Sequence, residues 1–320
     1  MNQDIYTVVE HLQGQISEIS YNMLAAAGAL ASSTGGDVVA VLLGHNVKGL
    51  ANNLAADQVL YIDDFVLAEF TTDAYLKVLA HLIKEKQPRA VLFGNTSIGA
   101  DLASVLSVRL DLPLTYSCQT ISDDEQLVSQ ICGGKIMVES PLSDMTTLIT
   151  IIPGGYKPDE GQASASPPIT QLDSPPLDDL RVTLKQYIEP EAGDVDISKE
   201  PILISVGRGI SNEDNIELAD ELAEAIGGVV CASRPVVDLG WLPTSRMVGK
   251  SGQKVKPKLY LTMGISGAPE HVEGIADSEM IVAINSDPTA PIFDYAQYGV
   301  EIDLFDLVEV LIEKVNEAKG

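Results

Sequence analysis

Cysteine is scarce in this chain of 320 residues: Cys118, Cys132 and Cys231 stand far apart, with no C-x-x-C pair and no histidine at metal-ligand spacing. That pattern excludes a disulfide scaffold and a zinc ribbon, and reads as core thiols of a reducing compartment. Cations are scarce as well. Twenty Lys and Arg against 46 Asp and Glu leave a formal net charge of -26, which argues against non-specific binding to nucleic acid or anionic lipid. No apolar run reaches the roughly 18 residues of a membrane span. Residues 1–15 carry acids and no basic segment of the kind that opens a secretion signal. The expectation is a soluble, cytoplasmic protein without direct membrane insertion. The four histidines are scattered and no Ser or Cys sits in a nucleophile elbow, so hydrolytic machinery is not in view.

What is present is a rhythm of short apolar runs and amphipathic stretches. Runs at 5–10, 38–43, 59–62 and 90–93 read as strands, and 16–31, 73–86 and 100–110 repeat apolar residues at helical spacing. Such alternation implies a parallel sheet covered on both faces. Strands at 115–121, 126–131, 135–138 and 146–152 then suggest an antiparallel extension. Residues 156–176, with five prolines, read as a surface loop. Residues 181–188 read as a last strand. A second alternation begins with the strand 201–206, the turn Gly207-Arg208-Gly209 and the helix 216–226. It continues through strands at 229–232, 259–263, 280–284 and 300–303 to a final helix carrying Phe305, Val308, Leu311, Ile312 and Val315. The fold class expected is α/β, with two Rossmann-like domains of mainly parallel sheet. An amino-terminal domain would span 1–190, an acidic hinge 191–200, and the second domain 201–320.

One stretch organises the second domain. Between Arg246 and Gly267 there is no acidic residue, while Arg246, Lys250, Lys254, Lys256 and Lys258 crowd together. The turns Gly249-Lys250-Ser251-Gly252 and Gly264-Ile265-Ser266-Gly267 would let backbone N–H groups approach an anion closely. The second turn follows the strand 259–263 and precedes a helical-looking 268–276, so a phosphate would meet a helix N-terminus. Ligands of open parallel sheets bind beyond the carboxyl ends of the strands, where these loops converge.

These motifs resemble the FAD-binding segment of the electron-transfer flavoprotein alpha subunit. The resemblance rests on Gly207-Arg208-Gly209, Ser233-Arg234, Val248-Gly249-Lys250-Ser251-Gly252, Gly264-Ile265-Ser266-Gly267-Ala268 with His271, Ala283-Ile284-Asn285 with Asp287-Pro288, Ala290-Pro291-Ile292-Phe293, and Tyr298-Gly299 with Asp303. It is close over about 200–310 and looser over 1–190. It implies FAD contacts from Arg208, Ser233, Val248, Gly249, Lys250, Ser251, Ser266, Gly267, Ala268, Pro269, Glu270, His271, Asn285, Asp303 and Leu304. Arg234 would lie against the isoalloxazine ring, Ser251 near flavin N5, and His271 at the C2 carbonyl, where developing negative charge would favour its protonated form. Asp303 would meet ribose or adenine. Read without the resemblance, Arg234 is a surface arginine, Ser251 a turn serine, His271 a packing residue, and Asn285 and Asp287 turn formers. Lys250 stands where the family commonly has glutamine, and Pro269-Glu270 replaces a common Ile-Gln pair. Their opposite charges suggest that Lys250 and Glu270 compensate one another.

The implied function is electron transfer by the FAD-bearing half of a heterodimer, in which a bound cofactor performs the redox step. The resemblance implies that the amino-terminal domain over 1–190 contacts a partner. The partners would be the beta subunit, flavin dehydrogenases as donors, and a quinone oxidoreductase or another acceptor. Two alternatives stay open: a subunit of an electron-bifurcating flavoprotein that oxidises NADH, and an α/β protein that binds or senses NAD.

Overall fold

The computed structural model describes residues 2–122, 124–132, 136–187 and 195–319, and the chain divides into two units, Met1–Tyr187 and Ile188–Gly320. The first runs through β1 (Ile5–Val8), a small hairpin of β2 (His11–Leu12) and β3 (Gln15–Ile16), α1 (Glu18–Thr34), β4 (Val38–Gly44), β5 (Gln58–Asp63), α2 (Thr72–Lys86), β6 (Ala90–Gly94) and α3 (Ser97–Leu110). β7 (Leu114–Ile121), β8 (Gln126–Ile131), β9 (Ile136–Pro141), β10 (Thr147–Ile151) and β11 (Ile169–Leu172) complete it. Nine strands form one sheet in the order β11-β5-β4-β1-β6-β10-β7-β8-β9. It is parallel from β11 to β7, and β8 and β9 extend it antiparallel. β4 is buried at every position because helices cover both faces. Met23, Leu24 and Leu30 of α1 pack on one side, and Leu76, Leu79, Leu102 and Leu106 of α2 and α3 on the other.

Of the four strands expected as an antiparallel extension, only β8 and β9 run so, because β10 inserts in parallel between β6 and β7. Two further expectations for this unit fail for local reasons. Residues 156–176 are not all loop, because β11 pairs in parallel with β5, Ile169 opposite Val59. Pro167-Pro168 and Pro175-Pro176 flank this four-residue edge strand without interrupting it, and its ends, Ile169 and Leu172, pack on the two cores. Conversely, 181–187 form no strand. The Arg181 backbone N–H donates to Asp73 Oδ2 at 2.9 Å, and its guanidinium Nη2 to Oδ1 at 2.9 Å. A donor that a ladder would need is thus given to a carboxylate at the start of α2. Lys135 of the expected strand 135–138, Ile188 of the expected strand 181–188 and 191–194 of the expected hinge lie outside the described residues.

Glu10, just beyond β1, is 5% exposed. Thr96 N-caps α3, accepting from the Gly99 N–H at 3.0 Å. Its hydroxyl donates to the Glu10 carboxylate, both oxygens of which lie 2.9 Å away. A Cβ at Gly94 or Gly99 would come within 2.7 or 3.0 Å of Glu10 Oε1, so these glycines leave the room that the carboxyl fills.

In the second unit a turn over 197–199 places Ile197 fully in the core. β12 (Ile202–Val206), α4 (Ile216–Ile226), β13 (Val229–Ala232), α5 (Arg234–Asp238), β14 (Leu259–Met263), α6 (Pro269–Val272), β15 (Ile281–Asn285), β16 (Tyr298–Glu301) and α7 (Leu304–Lys319) follow. The sheet is parallel throughout, ordered β13-β12-β14-β15-β16. α4 and α7 cover one face through Leu222, Leu304 and Val308. Irregular segments carrying Val248, Val255, Ile275 and Ile292 cover the other. The helix expected over 268–276 shrinks to the four residues of α6. Beyond it Gly274 and Ile275 donate to carbonyls three residues back, and Gly274 presses on Gly249, where a Cβ would meet Cα at 2.6 Å.

Candidate cofactor site

The chain leaves β12 for β13 on one side and returns to β14 on the other, so the order reverses between β12 and β14. Parallel sheets open a crevice at such a point. A cavity of about 560 Å³ lies there. Arg208 and Gly209 reach it from the end of β12, Ser233, Arg234, Pro235 and Asp238 from β13, and 247–252 from the following loop. Gly264, Ile265, Ser266, Ala268, Glu270 and His271 line it beyond β14, and Asn285, Asp287 and Ala290 beyond β15.

Most of the residues singled out from the sequence therefore meet in one place. Gly267, Pro269, Asp303 and Leu304 stand outside the lining, each with a local task. Gly267 holds φ +88° with Ile292 N 2.4 Å from where a Cβ would stand, and Pro269 opens α6. Asp303 Oδ1 accepts from Phe305 N at 3.0 Å at the start of α7, and Leu304 is 6% exposed within the core. Asp238 and Met247 line the cavity without having been foreseen. The one available signal was the four-residue spacing of Arg234 and Asp238 across a helical turn; Met247 had none.

The charges also differ from expectation. Of the basic run only Lys250 lines the cavity. Arg246 turns inward and donates from Nη1 to the Val230 carbonyl at 2.7 Å. Arg208 and Arg234 supply the other cations, Arg234 Nε lying 3.3 Å from Asp238 Oδ2. Lys250 does not pair with the Glu270 side chain. Its Nζ lies 3.5 Å from Glu273 Oε2, and Lys254 Nζ lies 3.2 Å from Glu273 Oε1. The Lys250 backbone N–H instead donates to the Glu270 carbonyl at 2.7 Å, which ties the two turns together. Asn285 both lines the cavity and shapes it, donating from Nδ2 to Ile265 O at 2.8 Å and accepting from Asp287 N at 2.9 Å.

His271 is 6% exposed. Burial pushes its pKa down to about 4, and the nearby Val248 carbonyl offsets this only in part, so the ring is neutral near pH 7. Its Nε2 lies 3.0 Å from Tyr260 Oη. Nδ1 is buried and has no hydrogen-bond partner among the described residues. Burial also lifts the Cys231 thiol to about 11, which leaves it unreactive.

Three cations in an otherwise acidic chain suit a diphosphate. Gly249, at φ +138°, and Gly264, packed within 2.6 Å of Gly209 Cα as judged from a Cβ position, bring bare backbone to the cavity. The volume is that of an ordinary cofactor pocket, and the free His271 nitrogen meets the need of a buried carbonyl. These residues fit a flavin dinucleotide.

Comparison with known proteins agrees. Residues 5–177 match the electron transfer flavoprotein domain and residues 196–276 the electron transfer flavoprotein FAD-binding domain. The chain is 36% identical over 326 residues to the electron transfer flavoprotein subunit alpha of Thermoanaerobacterium thermosaccharolyticum, covering 99% of each chain. The chain belongs to the electron transfer flavoprotein alpha-subunit family. Its cofactor is FAD, as the family's FAD-binding domain indicates. Other similar members are the acryloyl-CoA reductase electron transfer subunit beta of Anaerotignum propionicum, 35% identical over 99% of this chain and 97% of that one, and the lactate dehydrogenase (NAD(+),ferredoxin) subunit LctC of Acetobacterium woodii, 30% identical over 97% and 76%. No helix among the described residues is long and apolar enough to cross a membrane.

Proposed function

We propose that this chain is the FAD-bearing subunit of a cytoplasmic heterodimer that takes electrons from flavin dehydrogenases and delivers them to a quinone oxidoreductase or a comparable acceptor. The observation that carries this reading is the cavity at the strand-order reversal, where Arg208, Arg234, Lys250, Ser251, Ser266 and His271 converge. When bound, FAD supplies the electron-accepting and electron-donating chemistry. The chain's own residues bind and orient it and set the electrostatics around it. Arg208 and Lys250 offset diphosphate charge, and the exposed guanidinium of Arg234 beside the ring favours added negative charge. Ser251 offers a hydroxyl to N5 and His271 an imidazole nitrogen to the C2 carbonyl. The first unit docks on the beta subunit, and the segment about 191–200 joins it to the flavin-bearing unit.

The likeness to the Acetobacterium woodii subunit, whose name couples NAD(+) with ferredoxin, favours a second reading, membership of an electron-bifurcating complex. Co-expression with the beta subunit and a visible spectrum test the first reading, and a colourless complex overturns it. Anaerobic addition of NADH and a count of the flavins reduced separate the two.

A further inference from the structure

A hydrogen-bonded row of side chains lies beneath the cavity floor. Tyr260 and Ser205 are both 0% exposed. Tyr260 Oη on β14 lies 2.7 Å from Ser205 Oγ on β12 and 3.0 Å from His271 Nε2 on α6. Each hydroxyl carries one proton and a neutral imidazole carries one; Cys231 Sγ, 4.0 Å from Tyr260 Oη, is a weak partner beside the two shorter contacts, so two continuous arrangements of the row compete.

In the first, Ser205 donates to Tyr260, Tyr260 donates to Nε2, and the imidazole proton sits on Nδ1. In the second, Nε2 donates to Tyr260, Tyr260 donates to Ser205, and Nδ1 is a bare lone pair. The surroundings of Nδ1 decide between them. Among the described residues that nitrogen makes no hydrogen bond of full geometry, and the polar group that approaches it is the Val248 carbonyl, which can only accept. A buried lone pair facing a carbonyl leaves an acceptor unsatisfied, whereas an N–H there is attracted to it. The first arrangement is favoured.

We propose that Tyr260, backed by Ser205, is a positioning residue that keeps the proton of neutral His271 on Nδ1, so that the imidazole meets the flavin carbonyl as a hydrogen-bond donor without carrying net charge. The proposal rests on the cofactor reading above. Neutrality itself follows from the burial of His271, and the tautomer follows from the group at its other nitrogen. Tyr260 touches no ligand in this scheme. It acts through His271.

The test uses the chain in complex with its partner subunit, labelled with 15N at histidine, with FAD and after FAD removal. His271→Gln assigns the signal among the four histidines. The wild type should show a protonated Nδ1 and a bare Nε2. Tyr260→Phe keeps the ring and deletes the hydroxyl. It should shift the tautomer ratio roughly five- to tenfold toward the opposite form, the weight of one ordinary hydrogen bond, and lower the flavin midpoint potential while FAD stays bound. Ser205→Ala should move both readouts in the same direction by less, and decides the matter if Tyr260→Phe does not fold. A wild-type spectrum with the proton on Nε2, or a ratio that neither variant changes, overturns the proposal. Because the tautomer is also read without cofactor, a complex that never binds FAD sinks the cofactor reading and leaves the positioning claim to its own spectrum.

Discussion

Glu10→Gln should stabilise the first unit in alkaline solution and do little in acid. Burial raises the Glu10 pKa from 4.5 to about 7, against the opposing hydrogen bonds from Thr96 and the Gly94 backbone. The folded chain therefore keeps a proton that the unfolded chain has already released. Stability falls as pH rises from about 4.5, and the full cost is reached above about 7. Each tenfold rise in proton affinity is worth about 1.36 kcal/mol, so the displacement corresponds to at most about 3 kcal/mol. Glutamine keeps the shape and an acceptor for Thr96 but has nothing to ionise. The advantage of the variant should thus grow from near zero at pH 4 to roughly 3 kcal/mol at pH 8.5. Urea unfolding followed by far-UV circular dichroism at a series of pH values measures it. Trp241, the chain's single tryptophan, is half-buried in the second unit, and its fluorescence supplies an internal reference that the substitution should not move. Parallel pH curves for wild type and variant would refute the reasoning.

Arg234→Ala should lower the flavin midpoint potential, by no more than roughly 40 mV because an exposed charge contributes under about 1 kcal/mol; an unchanged potential in reductive titration would mean that Arg234 does not face the ring. A double-mutant cycle on the same potential should find coupling between Lys250 and Glu273, which lie 3.5 Å apart, and additive effects for Lys250 and Glu270. Asp303→Ala should cost about 1 kcal/mol through the lost cap of α7, with FAD affinity unchanged in a fluorescence titration. Weakened flavin binding there would restore Asp303 to the site.

The alternation of strands and helices was legible because the central strands of both sheets, β1, β4, β6 and β10 in the first and β12 and β14 in the second, are buried on both faces, which makes them continuous apolar runs. β11 was not, since an edge strand of four residues between proline pairs carries no such run; its partner β5 defines it. The site was legible as a set of loops, because glycines and hydroxyls at strand ends are local signals. Which charges faced inward was not. Arg246 and Lys250 look alike in a basic run, yet the Val230 carbonyl within β13 draws one away and the turn at Gly249 presents the other. Asp303 and Leu304 stand outside the cavity lining for a related reason, as the start of α7 takes a cap and a core residue just where the strand ends. Lys250 pairs with Glu273 rather than Glu270, a choice that no residue of 268–276 announces.

Both sheets reverse their order beside their first strand, yet among the described residues the cavity at the second reversal holds about 560 Å³ and the one beside Glu10 at the first about 10 Å³. In the first unit the corresponding crevice, between β1 and β6, holds the carboxyl of Glu10 against the capped start of α3. That group is a resident tied to the crevice by the chain itself, and a tethered group competes at an effective concentration in the millimolar range or above. A free anion in solution would have to evict it and then fit between glycines already in contact with it. A nucleotide titration of this chain should accordingly saturate with the stoichiometry of the second unit alone.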